Sequence, residues 1–475
     1  MSTAGILSWG SYLPHHRLNR SVISEVLGTG GGKGTRTVAS YDEDTTSMGV
    51  EAARRALRAL PAAAPQPTAV FFSTTAPAYL EKSNAATVHA ALNLDAAISA
   101  FDFVGAIRSG IGALRAALER REPTLVVLAD IRTGLPGSAD EALGGDGAVA
   151  FVTGSGPVVA ELVAATGVTK ELLDRWRVPG APTARTWEER FSETHLVSPG
   201  QEALELALKQ AGVVLDEIAA LSVSGPAARV SRGVMTRIGA TNEIIADDLS
   251  ATVGFTGAAH AGLLIASMLE AGRPGQLLGS VCVADGADAL LFRTTPALDQ
   301  ATSAPTLGAQ VSASPPALPY PDFLTWRGHL RREPPRRPDP SRPLAPASER
   351  AEAWKMRFTG SRCQDCGRRH LPPQRVCLEC RSINRMDSER VADDTGTVVT
   401  YAIDRLAYSP NPPMIVVVVD FDGGGRFQCE LTDASADDVR IGQRVAMTFR
   451  RLFTADDIHN YFWKAKPIAA EGAAQ

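Results

Sequence analysis

The chain has 475 residues, too many for one hydrophobic core, and its size suggests about three domain-sized units with room for an active site. Its 48 Lys and Arg against 52 Asp and Glu leave a net charge of -4, which gives no global field toward nucleic acid or an anionic membrane surface. The opening MSTAGILSWGSYLPHHRL lacks a basic region followed by a long apolar run, so a cytoplasmic protein is expected, with no membrane and no nucleic-acid partner and with a small or acyl-type ligand.

In chain order, amphipathic helical stretches alternate with apolar strand-like runs over the first 295 residues. SMGVEAARRALRAL (47–60) and GIGALRAALERR (110–121) carry alanine-rich faces suited to close packing on a sheet. VFFSTT (70–75), TLVVLAD (124–130), AVAFVTG (148–154), LSVSG (221–225) and SVCVADGADALLF (280–292) read as strands. The pattern is α/β. Strand, turn and helix near 101–119 find a loose echo at 250–271, so two similar halves are expected, 1–165 and 166–295. GGDG at 144–147 reads as a strand-entry turn, because a lone glycine cluster is weak support for a phosphate loop.

Residues 296–350 turn to Pro, Arg, Ser and Ala and read as a linker, with YPDFLTWRGHL (320–330) forming one short docked helix within it. A cysteine segment follows over 351–390. Then GTVVTYAIDR, MIVVVVDFDGGGRFQCEL and QRVAMTFRRL, split by turn-rich SPNPP and DASADD, suggest a small all-β barrel of OB type over 391–470.

Six cysteines are too few for a disulfide scaffold in a chain this long. Four of them form GSRCQDCGRRHLPPQRVCLECRS, a C-x2-C pair, ten residues, and a second C-x2-C pair. Each turn sets two thiolates on one side, and Cys363, Cys366, Cys377 and Cys380 together make a tetrahedral four-sulfur site that suits Zn2+, with a rubredoxin-type iron site or a metal-free dithiol pair as the competing readings. All four positions are filled by sulfur, so the zinc is expected to be structural. Arg362, Arg368, Arg369, Arg375 and Arg381 lack an aromatic stacking platform, against nucleic-acid binding. Cys282 and Cys429 lie in apolar runs and read as inert core thiols.

From Trp354 to Pro467 the chain resembles the rubredoxin-like zinc ribbon plus OB-fold domains that accompany thiolase-like enzymes, through CxxCG, LPPQRVCLEC and NYFWKAKP. The first 295 residues resemble the 3-hydroxy-3-methylglutaryl-CoA synthase and ketoacyl synthase III branch of the thiolase superfamily, through GSYLPHHRL, SYDEDTTSMGVEAARRAL, EKSNAA, GGDGAVAFVTG and VADGADALLF. The resemblance implies a five-layered αβαβα fold, a homodimer and a pocket for the pantetheine arm of a coenzyme A thioester as substrate. It also implies a cysteine nucleophile at a buried helix N-terminus, where the helix dipole lowers its pKa, with a histidine and an asparagine or second histidine around it. Here the pattern departs. The cysteine position falls on Ile107, the histidine near Ser224 or Gly225, the asparagine on Phe255 and the glutamate base about at Thr75. Isoleucine has neither a nucleophile nor a transferable proton, so an acyl-cysteine intermediate is excluded, and Ser109 on the same helix points to another side.

Two classes of function survive. The first is carbon–carbon chemistry on an acyl-CoA without covalent capture, with an aldolase or retro-aldolase acting on a 3-hydroxyacyl-CoA as the leading expectation and a hydroxymethylglutaryl-CoA synthase-like condensing acyltransferase as the alternative. The second is a non-catalytic acyl-CoA or acyl-carrier binding protein. Tyr79, Asp130, His260 and Asp285 are the candidate catalytic residues, with Glu81 also near the pocket, and Ile107, Arg108 and Phe255 are expected to contact substrate. Each has a bland counterpart: Asp130 and Asp285 as caps of backbone amides, His260 as a core histidine, Tyr79 as a loop cover and Arg108 as an ion-paired surface residue.

Overall fold

Runs that are apolar at every position, rather than alternating, become strands covered on both faces. Thr124–Asp130 and Leu277–Val283 are buried at every residue in the computed structural model, which describes residues 4–301, 303–313, 315–333, 340–407 and 409–468. The chain divides into two units, one of Met1–Ser40, Met48–Val88 and Asp95–His329, the other of Tyr41–Ser47, His89–Leu94 and Leu330–Gln475.

The first unit contains strands β1 (Ala4–Tyr12), β2 (Ala69–Thr74), β3 (Ser99–Val104), β4 (Thr124–Asp130), β5 (Gly147–Ser155), β6 (Ala160–Thr169), β7 (Arg175–Trp176), β8 (Ile218–Ser224), β9 (Leu277–Val283) and β10 (Gly286–Thr294). Its main helices are α1 (Thr45–Arg58, within this unit from Met48 on), α2 (Arg108–Arg120), α3 (Glu189–Ala211), α4 (Ala228–Ile238) and α5 (His260–Ala271). Nine strands pair in the order β8-β9-β10-β6-β1-β5-β4-β2-β3. The junction of β1 with β6 is only two residue pairs, Gly5 with Glu161 and Ile6 with Ala160, so the sheet is two half-sheets joined at a narrow seam.

The halves repeat one plan. In the first the order is β3-β2-β4-β5-β1; in the second it is β8-β9-β10-β6, with Ile245 bridging in parallel to Leu221 where a further edge strand would lie. Helices α2 and α5 lie between the halves and touch strands of both, sharing a core of Ile111, Leu114, Leu128, Phe151, Leu263 and Phe292. The outer face of the second half is covered by α3 and α4 around Leu204, Leu221, Val281 and Leu291. On the other side α1 packs its alanine face on β1, where Ser8 Oγ donates to Ala56 O at 2.7 Å. The layers are therefore αβαβα, a thiolase-like region. The helix expected in the linker is Tyr320–Trp326, whose Tyr320 and Phe323 are buried beside Leu18, Ile23 and Val38; linker residues 302, 314 and 334–339 lie outside the described residues.

The second unit holds a three-stranded ribbon, β11 (Thr359–Cys363), β12 (Arg369–His370) and β13 (Met386–Arg390), in the order β12-β11-β13. After it come β14 (Thr395–Asp404), β15 (Met414–Phe421), β16 (Arg426–Glu430), β17 (Arg444–Ala455) and β18 (Ile458–Pro467), paired as β16-β15-β14-β17-β18. Leu431 bridges to Ala465 beside the two end strands, which curls the sheet into the expected barrel. Strand β15 alternates inward Ile415, Val417, Val419 and Phe421 with half-buried residues, the period-2 pattern of a strand with one face on a core. A charge cluster is sealed in this unit. Burial works hardest against the Asp42 charge, yet Lys464 Nζ at 3.0 Å and Arg450 Nη1 at 3.2 Å hold its carboxyl well below the usual carboxylate range.

Candidate functional site

Helix α2 starts at a position the packing fixes. Gly110 in its first turn lies so close to the Ala258 carbonyl that a Cβ there would collide with it, which pins the helix N-terminus against the 257–259 turn. Ile107 is the residue before the helix and has helical φ and ψ of -57° and -41°. It lines a cavity of about 290 Å³ together with Thr75, Arg132, Asp174, Arg177 and Asp285. The first N–H groups of α2 open beside this cavity, the positive end of a helix dipole.

Below the cavity sits a buried brace. Thr75 Oγ1 lies 2.9 and 2.8 Å from the two carboxylate oxygens of Asp130, and Asp130 also accepts from the amides of Ile131 at 3.1 Å and Ala258 at 2.9 Å. Arg132 Nη1 stands 3.8 Å from the same carboxylate and donates to Thr75 Oγ1 at 3.0 Å. Burial pushes the Asp130 carboxyl up, against the pull of Arg132 and the amide donors. Gly257, at φ +53°, passes so near Asp130 that a side chain there would strike the carboxylate. Asp130 thus ties the ends of β2 and β4 to the 257–259 turn. It is not among the residues lining the cavity, and its hydrogen bonds are those of a cap on backbone amides.

His260 is enclosed in the same way. It is 5% exposed at the start of α5, its Nδ1 is 3.2 Å from Thr256 Oγ1, and its ring meets Phe255 edge-on at 5.0 Å. Burial drives its pKa down to about 4, so at neutral pH it is an uncharged core side chain. Ser224 is equally occupied, donating to Val281 O at 3.3 Å. Beside it Cys282 is buried and its thiol is pushed up to about 12, first by burial, and burial does the same to Cys429.

Arg108 is an ion-paired residue. Its Nε donates to Asp288 at 2.6 Å and its Nη1 to the Asp285 carbonyl at 2.6 Å, so it holds the turn between β9 and β10. That turn carries Asp285 at φ +49°, in the left-handed region, with its carboxyl exposed at the cavity mouth and raised by partial burial and then by Asp174. Tyr79 is outside the cavity lining; its amide and carbonyl are held by Asn84 at 3.1 and 2.9 Å, and Lys82 sits over its ring at 5.9 Å. Exposed Glu81 belongs to the same loop.

Residues 170–188, between β6 and α3, supply what the sequence reading missed: Asp174, Arg175, Trp176 and Arg177 on the cavity over Ile107, and Thr186 and Trp187 on a neighbouring cavity of about 160 Å³ that also takes in Phe255. The two cavities share Arg132, Asp174, Arg175 and Pro226. Arg175 is fixed by a two-pronged pair with Asp140 at 2.9 and 2.6 Å. The D-R-W-R run was the available signal, since three charges around an aromatic in a short two-residue strand are more than a solvated loop requires.

In the second unit, Cys363, Cys366, Cys377 and Cys380 present four sulfurs that all lie within 4.8 Å of one another, with Cys363 to Cys380 at 3.6 Å and Cys366 to Cys377 at 3.5 Å. A tetrahedral zinc with Zn–S bonds of about 2.3 Å needs sulfurs about 3.8 Å apart, so the chemistry and close approach of the four residues fit the ion.

Comparison with known proteins agrees with both units. Residues 353–383 match the family model of the ChsH2 rubredoxin-like zinc ribbon domain and residues 389–450 that of the ChsH2 C-terminal OB-fold domain. A hydroxymethylglutaryl-CoA synthase of Pyrobaculum neutrophilum is 31% identical over 194 residues, 38% of this chain, and the match spans 55% of that relative's length. One from Methanococcoides burtonii is 24% identical over 348 residues, 69% of this chain and 99% of the relative. Among solved structures, PksG, an HMG-CoA synthase from Bacillus subtilis, superposes with a TM-score of 0.61 at 19% identity, over 69% of this chain and 89% of that one. The 3-oxoacyl-[acyl-carrier-protein] synthase III of Aquifex aeolicus gives 0.54 at 21% identity, over 61% of this chain and 99% of that one. The molecule is a thiolase-like α/β region followed by a ChsH2-type zinc ribbon and OB-fold. Among the described residues no helix is long and apolar enough to cross a membrane.

Proposed function

We propose that this chain is an acyl-CoA-dependent carbon–carbon bond enzyme of the hydroxymethylglutaryl-CoA synthase-like, condensing kind, working without an acyl-cysteine. The observation that carries this reading is Ile107: it stands at the helix N-terminus, over a cavity that keeps a polar lining, and it offers no nucleophile. Aldol-type addition needs a base for a proton next to the thioester and donors for the developing oxyanion, but no covalent capture. Asp285 takes that proton, the resulting enolate carbon bonds to the carbonyl carbon of an acceptor, and the acceptor oxygen gains a proton to become a hydroxyl. Reversed, the same step is the retro-aldol cleavage of a 3-hydroxyacyl-CoA. The relatives' name and a similar HMG-CoA synthase solved in complex with CoA support coenzyme A as the carrier.

A non-catalytic acyl-CoA binder is the second reading, favoured because the positions where the resemblance places base, nucleophile, histidine and asparagine fall on Thr75, Ile107, Ser224 or Gly225, and Phe255. A homodimer built on β3 belongs to the proposal as well: this end strand of the sheet exposes Phe101 and Val104. Six cysteines without a disulfide suit the cytoplasm. The test is to mix the purified protein with acyl-CoAs and carbonyl acceptors, and separately with 3-hydroxyacyl-CoAs, and follow CoA products by mass spectrometry. A longer or shorter acyl-CoA supports the enzyme; binding without turnover across the panel supports the second reading.

A further inference from the structure

We infer that the cavity over Ile107 is an anion subsite, in which Arg132 and Arg177 hold a carboxylate carried by the acyl group of the substrate. This rests on the acyl-CoA reading and names the class of acyl group. The two guanidinium groups converge on one residue. Arg132 Nη1 donates to Thr75 Oγ1 at 3.0 Å, and Arg177 donates through Nη2 to the Thr75 carbonyl. Both line the cavity, and both are thereby held at one wall of it.

The charges around that wall do not cancel. Arg175 is neutralised by Asp140, whereas Arg132 faces Asp130 only at 3.8 Å and makes no two-pronged pair with it. Arg177 has no carboxylate partner among the described residues, and it lies at the exposed rim, where an incoming group meets it first. The guanidinium groups also repel one another: Arg132 is depressed first by burial, and Arg175 and Arg177 add to that against Asp130 and Asp140. An anion placed between Arg132 and Arg177 relieves this repulsion. It meets unused N–H edges in the planar fork geometry that suits a carboxylate.

Two carboxylates, Asp174 and Asp285, also line the cavity. The main charges acting on Asp285 are Asp174, Arg108 and Glu171, whereas those acting on Arg132 are Asp130, Arg175, Asp140 and Arg177. Asp174 turns one oxygen to Ser192 Oγ at 3.0 Å. A cavity polarised in this way orients an acyl group that ends in a carboxylate, with the charged end at Thr75 and the remainder toward Asp285. The position where the resemblance places a glutamate base has therefore changed sign: a threonine stands there with two cations upon it.

The experiment is calorimetric titration of the full-length protein with acyl-CoAs matched in length, succinyl-CoA against butyryl-CoA and glutaryl-CoA against pentanoyl-CoA, in wild type, Arg177→Gln and Arg177→Lys. The carboxylated member of each pair is expected to bind at least about tenfold tighter in wild type, as a charge-assisted forked contact warrants. Arg177→Gln is expected to remove most of that preference, weakening the carboxylated acyl-CoAs far more than the neutral ones, and Arg177→Lys to keep part of it. Equal binding within each pair, or a loss that falls equally on both members in Arg177→Gln, overturns the anion subsite and leaves the acyl-CoA reading standing. Failure of all four acyl-CoAs to bind overturns both.

Discussion

Thr75 Oγ1 sits within 2.9 Å of both oxygens of Asp130, so the residue standing about where related enzymes are expected to carry a glutamate base is used as a hydrogen-bond donor to a buried carboxylate. Asp130→Asn keeps the shape but replaces an acceptor oxygen by an amide group that cannot accept from Ala258 N. The expected loss is about 2–4 kcal/mol of stability in the first unit, because a buried donor is left unsatisfied and Arg132 loses its counter-charge. Urea unfolding of the full chain checks it; a change within about 0.5 kcal/mol would place Asp130 outside the brace.

His260 makes the first unit pH-sensitive. Its folded pKa of about 4 lies below the ordinary value of 6.5, so between those values the unfolded chain binds more protons than the folded one. The stabilisation is complete above pH 6.5 and is lost as pH falls toward 4, up to about 3 kcal/mol at full burial. His260→Gln should flatten the fall in denaturation midpoint between pH 7 and pH 5. Parallel pH curves for variant and wild type would rule out His260 as its origin.

Asp42 and Lys464 answer each other in the second unit, since their charged groups are 3.0 Å apart and both side chains are sealed from solvent. Asp42→Asn leaves Lys464 with Glu430 alone and leaves Arg450 with Glu43 and Asp433, and the expected loss is about 3–5 kcal/mol. The double variant Asp42→Asn with Lys464→Met should recover part of that loss in thermal unfolding. Additive losses would mean that the two groups do not act as a pair.

Cys363→Ser removes one of four thiolates that hold the ribbon together. Metal analysis should fall from about one zinc per chain to a small fraction, and the transition of the second unit should move down while the first unit melts unchanged. Equal loss in both units would refute their independence.

The zinc ligands were legible because cysteine spacing alone encodes the four-sulfur geometry, and the barrel because short strand-like runs recur between the turn-rich SPNPP and DASADD. The α/β pattern was legible from the apolar runs at 124–130 and 280–292, and the αβαβα layering followed from the resemblance to the thiolase superfamily. The missing nucleophile at Ile107 could be read because it is a single substitution in an otherwise matching stretch. What could not be read was which charged residues meet in space. Arg108 and Asp285 are far apart in sequence but bonded across one turn, and Asp174 and Arg177 reach the cavity from a segment with almost no regular structure. Sequence reports residue type and not burial, so it could not show that the fold surrounds Asp130 with amide donors and sets His260 between Thr256 and the Phe255 ring.

The most direct test of the central claim is intact-protein mass spectrometry of the full-length chain, incubated with acetyl-CoA and a panel of carbonyl acceptors while the small-molecule fraction is followed in parallel. The account predicts a new acyl-CoA with a formed carbon–carbon bond and a protein of unchanged mass throughout turnover. A protein heavier by one acyl group, appearing and decaying with the reaction, would contradict it.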